Sequence, residues 1–228
     1  MRERVAVVGL LVAVLASGCA SRAPATVLER SVRFDTPIDL PEPDRNGEMT
    51  LEEALAERRS RRTFGDDALS LSALGQLFWA GQGITDSAGH RTAPSAGALY
   101  PLELYAVTAT SLLHYLPDGH RVERRSDDTA LASMHEAAFG QDFVSSAPAV
   151  LVVAGVVART EAEYGARAGI FVEREAGHAT QNVLLQATAF GLAATPVGGF
   201  DPDVVAELLA LPPGEEPLYL IPVGEARR

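Results

Sequence analysis

A phosphate group is held best by forked cations with a hydroxyl between them, and Arg58-Arg59-Ser60-Arg61-Arg62 supplies four such cations around one serine. Two further strings follow it in the chain: Pro94-Ser95-Ala96-Gly97-Ala98-Leu99-Tyr100-Pro101 and Pro196-Val197-Gly198-Gly199-Phe200-Asp201. Both are turns of small residues, which let backbone amides approach a flat polar ring closely. Together the three strings suit a ligand with a phosphate at one end and a planar ring at the other. Each string also has a plainer reading. The arginine knot can be a solvated helix end whose cations complement the dipole. The glycine string can be a helix stop and turn, and both roles can hold together.

Composition narrows the classes. The chain has 228 residues and a formal net charge of -11, against the basic surplus of a nucleic-acid binder, so no nucleic-acid partner is expected. The knot therefore runs against the global field. At 47% hydrophobic there is ample material for a core. Cys19 is the one cysteine, which excludes a disulfide, a thiol nucleophile and a cysteine-based metal site from the domain beyond it. No metal cluster has credible ligand spacing. Residues 1–19 form a separate object: Arg2 and Arg4 precede an apolar run of eleven residues, Val5 to Leu15, too short to span a bilayer. Leu15-Ala16-Ser17-Gly18-Cys19 resembles a bacterial lipoprotein signal, which implies lipidation at Cys19 and an extracytoplasmic, membrane-anchored protein. Leu15 stands one place earlier than the usual leucine of such signals, with Ala16 in its slot. Ordinary signal cleavage and a short membrane anchor are the alternatives.

Residues 20–48, rich in proline and charge, read as a tether, and residues 49–228 as the domain. Thr50-Leu51-Glu52-Glu53 is a capping box opening a helix with Leu51, Ala54 and Leu55 inward, which ends at the knot. A second helix, 71–80, starts at Ser70, turns Leu71, Leu74, Leu77 and Phe78 inward and stops at Gly81. Residues 102–108 read as a strand, 112–116 and 121–125 as a hairpin around Pro117-Asp118-Gly119, and 131–139 as a helix. The unbroken apolar run 148–157 predicts a buried central strand. Residues 161–190 read as one long helical stretch with Ala176, Ala179, Val183, Leu184, Ala187 and Phe190 on one face, ended by Gly191. Asp201-Pro202 starts a further helix, stopped by Pro212-Pro213-Gly214, and 218–223 is a last strand. Without regular βαβ alternation this order predicts an α+β sandwich.

With those elements around the motifs, the stretch from Met49 onward resembles the FMN-dependent nitroreductase-fold family, and within it the SagB/ThcOx-type dehydrogenase branch. The resemblance implies a nitroreductase-like α+β fold, with a central mixed or antiparallel sheet flanked by helices, in an interlocked homodimer with flavin at the interface. It places Arg58, Ser60 and Arg62, with Arg59 beside them, on the phosphate and the N1/O2 edge of FMN. Pro94, Ser95, Ala96 and Gly97 would reach the flavin from the neighbouring subunit. Gly198 and Gly199 would face flavin N5 with backbone amides, where glycine permits close approach and unusual dihedrals. Gln141 would make a further flavin contact, and Arg227 would add a last cation to the phosphate. Many nitroreductases have Asn where this chain has Ala98, whereas the continuation through Tyr100-Pro101 is typical of the SagB-like branch. Gly177-His178-Ala179-Thr180-Gln181-Asn182 matches that branch too, although polar residues on a core helix more often satisfy buried backbone. Azoline-oxidising members carry a Lys-Tyr pair implicated in proton abstraction; here the string is Glu163-Tyr164-Gly165-Ala166-Arg167-Ala168. Tyr164 is thus the catalytic candidate, and Glu163 inverts the local charge. The implied activity is two-electron hydride transfer by a ping-pong cycle, from NAD(P)H to a small quinone or nitro acceptor. A SagB-like dehydrogenase of azolines or related heterocycles, and a non-catalytic flavin-binding lipoprotein scaffold, are the alternatives.

Overall fold

Apolar strands separated by turn residues build a single sheet. The computed structural model describes residues 33–227. In it β1 (Ile38–Asp39), β2 (Leu102–Thr108), β3 (Ser111–Leu116), β4 (Arg121–Ser126), β5 (Ala149–Gly155), β6 (Leu192–Ala194) and β7 (Glu216–Glu225) lie in the order β1-β4-β3-β2-β5-β7-β6. Every neighbouring pair is antiparallel, so of the two sheet types expected the antiparallel one is found. The helices are α1 (Leu51–Glu57), α2 (Leu71–Gln82), α3 (Ala130–Ala137), α4 (Asp142–Ser145), α5 (Ala158–Tyr164), α6 (Ala168–Ala189) and α7 (Pro202–Leu209).

β5 is buried along its whole length because both faces of the sheet are covered. Its alternate residues Leu151 and Val153 join Leu77, Phe78, Val172 and Val183 from α2 and α6. Val150 and Val152 turn the other way and pack with Met134, Val205 and Leu209 from α3 and α7. Each such apolar side chain stabilises the fold by about 1.5–3 kcal/mol relative to exposure. α2 and α6 meet closely at Gly81, where an added Cβ would come within 2.9 Å of Leu104 Cδ1 and 3.2 Å of Val183 Cγ2. Toward the β1 edge a polar staple crosses the sheet: His114 Nδ1 lies 2.8 Å from Glu123 and its Nε2 3.0 Å from Glu103, which also pairs with Arg159. Burial works against the imidazolium, but the two carboxylates outweigh it and raise the His114 pKa.

Several expectations change. α1 buries only Ala54; Leu51 and Leu55 are 60% and 53% exposed, because an apolar stripe does not say what covers it. Leu71 and Phe190, read as inward, are exposed at the first residue of α2 and the C-cap of α6. The single helix over 161–190 is two helices, since Gly165 takes φ 51 and turns the chain through a 3-10 turn at Gly165–Arg167. The segment read as tether is docked in its described part. Asp35 N–H donates to Arg124 O at 2.8 Å, β1 pairs with β4, and Leu40 is buried in the core. The signal segment and Cys19 lie outside the described residues.

Candidate functional site

Arg58 ends α1 by leaving helical space at φ -54, ψ 122. Arg59 then folds back, and its guanidinium donates at 2.8 Å to the carbonyls of Ala56 and Arg58, groups that a helix end leaves unpaired. From Ser60 the chain runs along the edge of the sheet. Ser60 bridges Ala194 in parallel, Arg61 N–H donates to Ala194 O at 3.1 Å, Phe64 bridges Ala226, and Gly65 N–H donates to Glu225 O at 2.8 Å. Phe64 anchors this run by packing against Ala147 and Ala193. The side chains of Ser60, Arg61 and Arg62 stay exposed. The guanidinium groups of Arg58 and Arg61 have no hydrogen-bond or ion-pair partner among the described residues. Arg62 lies 5.4 Å from the Phe143 ring centroid.

The glycine string joins the same edge. Val197 exchanges both backbone hydrogen bonds with Leu220, at 2.8 and 3.0 Å, which brings the chain back over β7. Gly198 and Gly199 follow, exposed. Neither occupies the left-handed region, so the unusual dihedrals expected there are absent. Their space is open: an added Cβ would meet only Tyr219 at 4.0 Å or Gln141 at 3.9 Å. Gln141 Nε2 donates to Gly199 O at 2.7 Å and to Ala138 O at 2.9 Å. Gln141 stands two residues before Phe143, so Arg62, Phe143, Gln141 and Gly199 form a continuous line from the knot to the glycines. A cavity of 340 Å³ opens at Gly198, lined also by Glu173, Phe200, Leu218 and Tyr219. Arg227, expected as a free cation, is held by both carboxylate oxygens of Asp66 at 2.7 Å.

The Pro94–Tyr100 string lies elsewhere. No hydrogen bond, ion pair or ring contact among the described residues joins it to the knot of its own chain. It packs instead on α5 and α6. Gly97, Ala98 and Tyr100 take φ 62, 53 and 47, a run that only glycine adopts without strain. Three contacts brace it. Asn182 donates to Thr92 O at 3.1 Å, Ser95 Oγ accepts from Tyr100 N–H at 2.9 Å, and Arg91 sits 4.5 Å from the Tyr100 ring centroid. The Tyr164 hydroxyl lies 3.1 Å from where a Cβ on Gly97 would stand, so Tyr164 belongs with this loop and not with the knot. Asn182 thus serves partly buried backbone, while His178 and Gln181 are exposed. Among the described residues no group of His, Cys, Asp or Glu is placed to hold a metal.

The sequence reading missed Glu175. It is 3% exposed, on the same face of α6 as Val172, Ala176 and Ala179, and its Oε1 is buried with no hydrogen-bond partner among the described residues. Burial pushes its carboxyl up to about 7, against the opposing pull of Ser95 and Arg91. A carboxylate inside an apolar helical stripe is the signal that would have found it.

Comparison with known proteins gives the family and the fold. A sequence profile described as the nitroreductase family matches residues 55–225. A protein of Methanocaldococcus jannaschii named as a nitroreductase is 38% identical over 183 residues, spanning 78% of this chain and 91% of that one. A nitroreductase structure from Ralstonia eutropha superposes with a TM-score of 0.77 at 33% identity, covering 85% of this chain and 91% of that one. The NADPH:FMN oxidoreductase of Vibrio harveyi, at 21% identity and a TM-score of 0.59, covers 78% and 69% and shares the fold. The chain belongs to the nitroreductase family, a class of oxidoreductases.

Proposed function

We propose that the protein is an FMN-dependent two-electron oxidoreductase acting as a homodimer, in which Pro94–Gly97 of one protomer completes the flavin site built by the knot of the other. One observation carries this reading: the knot and the Gly198–Gly199 turn, 136 or more residues apart in sequence, lie on one sheet edge and are linked through Phe143 and Gln141. The donor set fits FMN. Exposed guanidinium groups and the Ser60 hydroxyl suit a phosphate, and an open glycine pair admits a flat ring. Bound FMN would supply two-electron transfer from a nicotinamide to a quinone or nitro acceptor in a ping-pong cycle. Arg58 and Arg62 would neutralise the phosphate and favour negative charge at the N1/O2 edge. Gln141 would restrain a turn that glycine alone leaves loose. The test is the visible spectrum of the purified protein after FMN is added and the excess removed. A retained flavin band that bleaches with NADPH or NADH is expected; a folded protein that retains no flavin overturns the reading and favours the scaffold.

The position of Tyr164 against Gly97 favours one second reading, a dehydrogenase of azoline-type heterocycles that shares the same flavin site. Oxidation of a synthetic azoline peptide, lost in Tyr164→Phe, would establish it; no turnover by the flavin-loaded protein removes it. We further propose that Cys19 carries a lipid that tethers the domain to a membrane surface. Fatty-acid labelling of the wild type but not of Cys19→Ser is expected, and equal labelling of both removes the anchor.

A further inference from the structure

Tyr100 is held where its backbone would not rest. It takes φ 47, in the left-handed region that a residue with a side chain seldom enters, and it precedes Pro101, whose ring confines the residue before it to extended backbone. Two such constraints on one residue need an outside hold. We propose that Arg159 and Arg91 are the positioning residues of the Pro94–Tyr100 loop: Arg159 grips the Tyr100 carbonyl, Arg91 covers the Tyr100 ring, and together they fix the turn that presents Ser95–Gly97 to the flavin site. The functional sense of this rests on the FMN reading above; the double clamp itself does not.

Both holds are anchored away from the loop. Arg159, near the start of α5, donates through Nη1 to Tyr100 O at 3.4 Å, and its Nη2 pairs with the Glu103 carboxylate. Glu103 is itself fixed: it stands opposite Ala154 in the β2–β5 pair, and its other oxygen meets His114 Nε2 at 3.0 Å. Val156 N–H donates to Pro101 O at 2.9 Å, so the loop exit is fastened at two successive carbonyls. A guanidinium suits the Arg159 bridge because its fork holds two donors at a fixed angle, which the point charge of a lysine cannot copy. Arg91 reaches Tyr100 from the segment after α2. Its backbone bridges Ile84, and its Nη1 donates at 2.7 Å to Oε1 of Gln82, which at 1% exposure is an immobile anchor. Its Cζ sits 4.5 Å from the Tyr100 ring centroid. The ring is thus pinned to α2 and the carbonyl to β2. Between these points the turn closes on itself: Ala98 N–H donates to Ser95 O at 3.1 Å, Leu99 N–H to Ala96 O at 3.3 Å, and Tyr100 N–H to Ser95 Oγ at 2.9 Å. Freed of both arginines, Tyr100 would return to extended backbone, and these bonds would open, because they need the chain to reverse between Ser95 and Tyr100.

The test is hydrogen exchange of the Ala98, Leu99 and Tyr100 amides, read by mass spectrometry on peptides covering residues 93–101 of the purified protein without FMN, with α7 as the reference. Arg159→Ala and Arg91→Ala should each speed exchange in the loop by about tenfold, the usual worth of one contact to a charged group, and leave α7 unchanged. Arg159→Lys keeps a charge opposite Glu103 but not the fork, so it should exchange as fast as Arg159→Ala. Tyr100→Leu removes the ring that Arg91 covers. It should match Arg91→Ala, and combining the two should add nothing further; additive effects overturn the role of Arg91. Wild-type exchange in both alanine variants overturns the proposal, and so does a rise of equal size in α7, which would mean a general loss of stability. Should an alanine variant fail to fold, wild-type exchange in Tyr100→Leu or in Arg159→Lys overturns it as well. FMN titration of the same proteins separates the two claims. No flavin binding by the wild type defeats the FMN reading and leaves the exchange result standing. An FMN dissociation constant raised about tenfold in the variants supports the positioning role, and wild-type affinity in a variant whose loop exchanges faster defeats it.

Discussion

The guanidinium of Arg58 has no hydrogen-bond or ion-pair partner among the described residues, while its neighbour Arg59 spends donors on the end of α1. The four arginines are therefore not equivalent. Arg58→Ala should weaken FMN binding by about 10- to 100-fold, the loss of a charge-assisted hydrogen bond worth about 1.5–3 kcal/mol. A dissociation constant within twofold of wild type, by flavin fluorescence quenching, would remove Arg58 from the site. Arg227 is a separate case because Asp66 holds it in an exposed pair. Such a pair adds little to stability, so Asp66→Asn should leave the melting temperature nearly unchanged. If Arg227 serves the phosphate, the same substitution tightens FMN binding; unchanged affinity assigns Arg227 to Asp66 alone. Residue types were legible in the sequence: arginine, serine and glycine announce phosphate and close approach. Their division of labour was not, because Arg59 and Arg58 are adjacent and chemically identical. Only the direction of the helix end tells them apart.

The elements that position these residues were legible where one physical signal dominated. β5 reads directly from unbroken apolar residues, and the hairpin from Pro117-Asp118-Gly119, where Gly119 takes φ 75. Signals failed where coverage, not pattern, decided the outcome. The apolar stripe of α1 is real, yet Leu51 and Leu55 stay exposed. The docking of β1 on β4 was hidden because a two-residue strand has no periodicity to read. The edge run of the knot was equally hidden, since its partners lie far along the chain. Its seat is narrow: a Cβ on Gly224 would stand 2.6 Å from Pro148 Cδ and 3.1 Å from Phe64 Cβ. A proline ring cannot move aside as a flexible side chain can. Gly224→Ala should therefore destabilise the protein by about 1–3 kcal/mol, the usual cost of overpacking, and weaken FMN binding as Phe64 is displaced. Urea unfolding and a flavin titration check both effects, and wild-type stability in the variant would show that the seat has slack.

For the molecule as a whole, pH stability turns on the staple at His114. Its pKa is raised in the folded state, so its contribution is complete below the ordinary value of 6.5 and is lost as pH rises through the raised folded value. Burial alone would raise Glu103, but hydrogen bonds from His114 and Arg159 leave it lowered. Its contribution is therefore present above 4.5 and is lost as pH falls through the lowered folded value. His114→Gln should cost about 2–3 kcal/mol near pH 6, the worth of hydrogen bonds between charged groups, and the deficit should shrink toward pH 9. Urea melts at the two pH values decide it; a deficit of equal size at both would place the effect in packing instead.

The seam that carries the knot also has a temporal side. Arg61 needs the carbonyl of Ala194, Gly65 needs that of Glu225, and Arg227 reaches back 161 residues to Asp66. Ala194, Glu225 and Arg227 do not yet exist while the ribosome is still making α6. Residues 58–65 must then wait through most of translation for the edge they will occupy, with four like charges discouraging early collapse. A chain stalled before β7 would lack the Glu225 carbonyl on which Gly65 closes. The seat of the knot is thus completed only after β6 and β7 are in place.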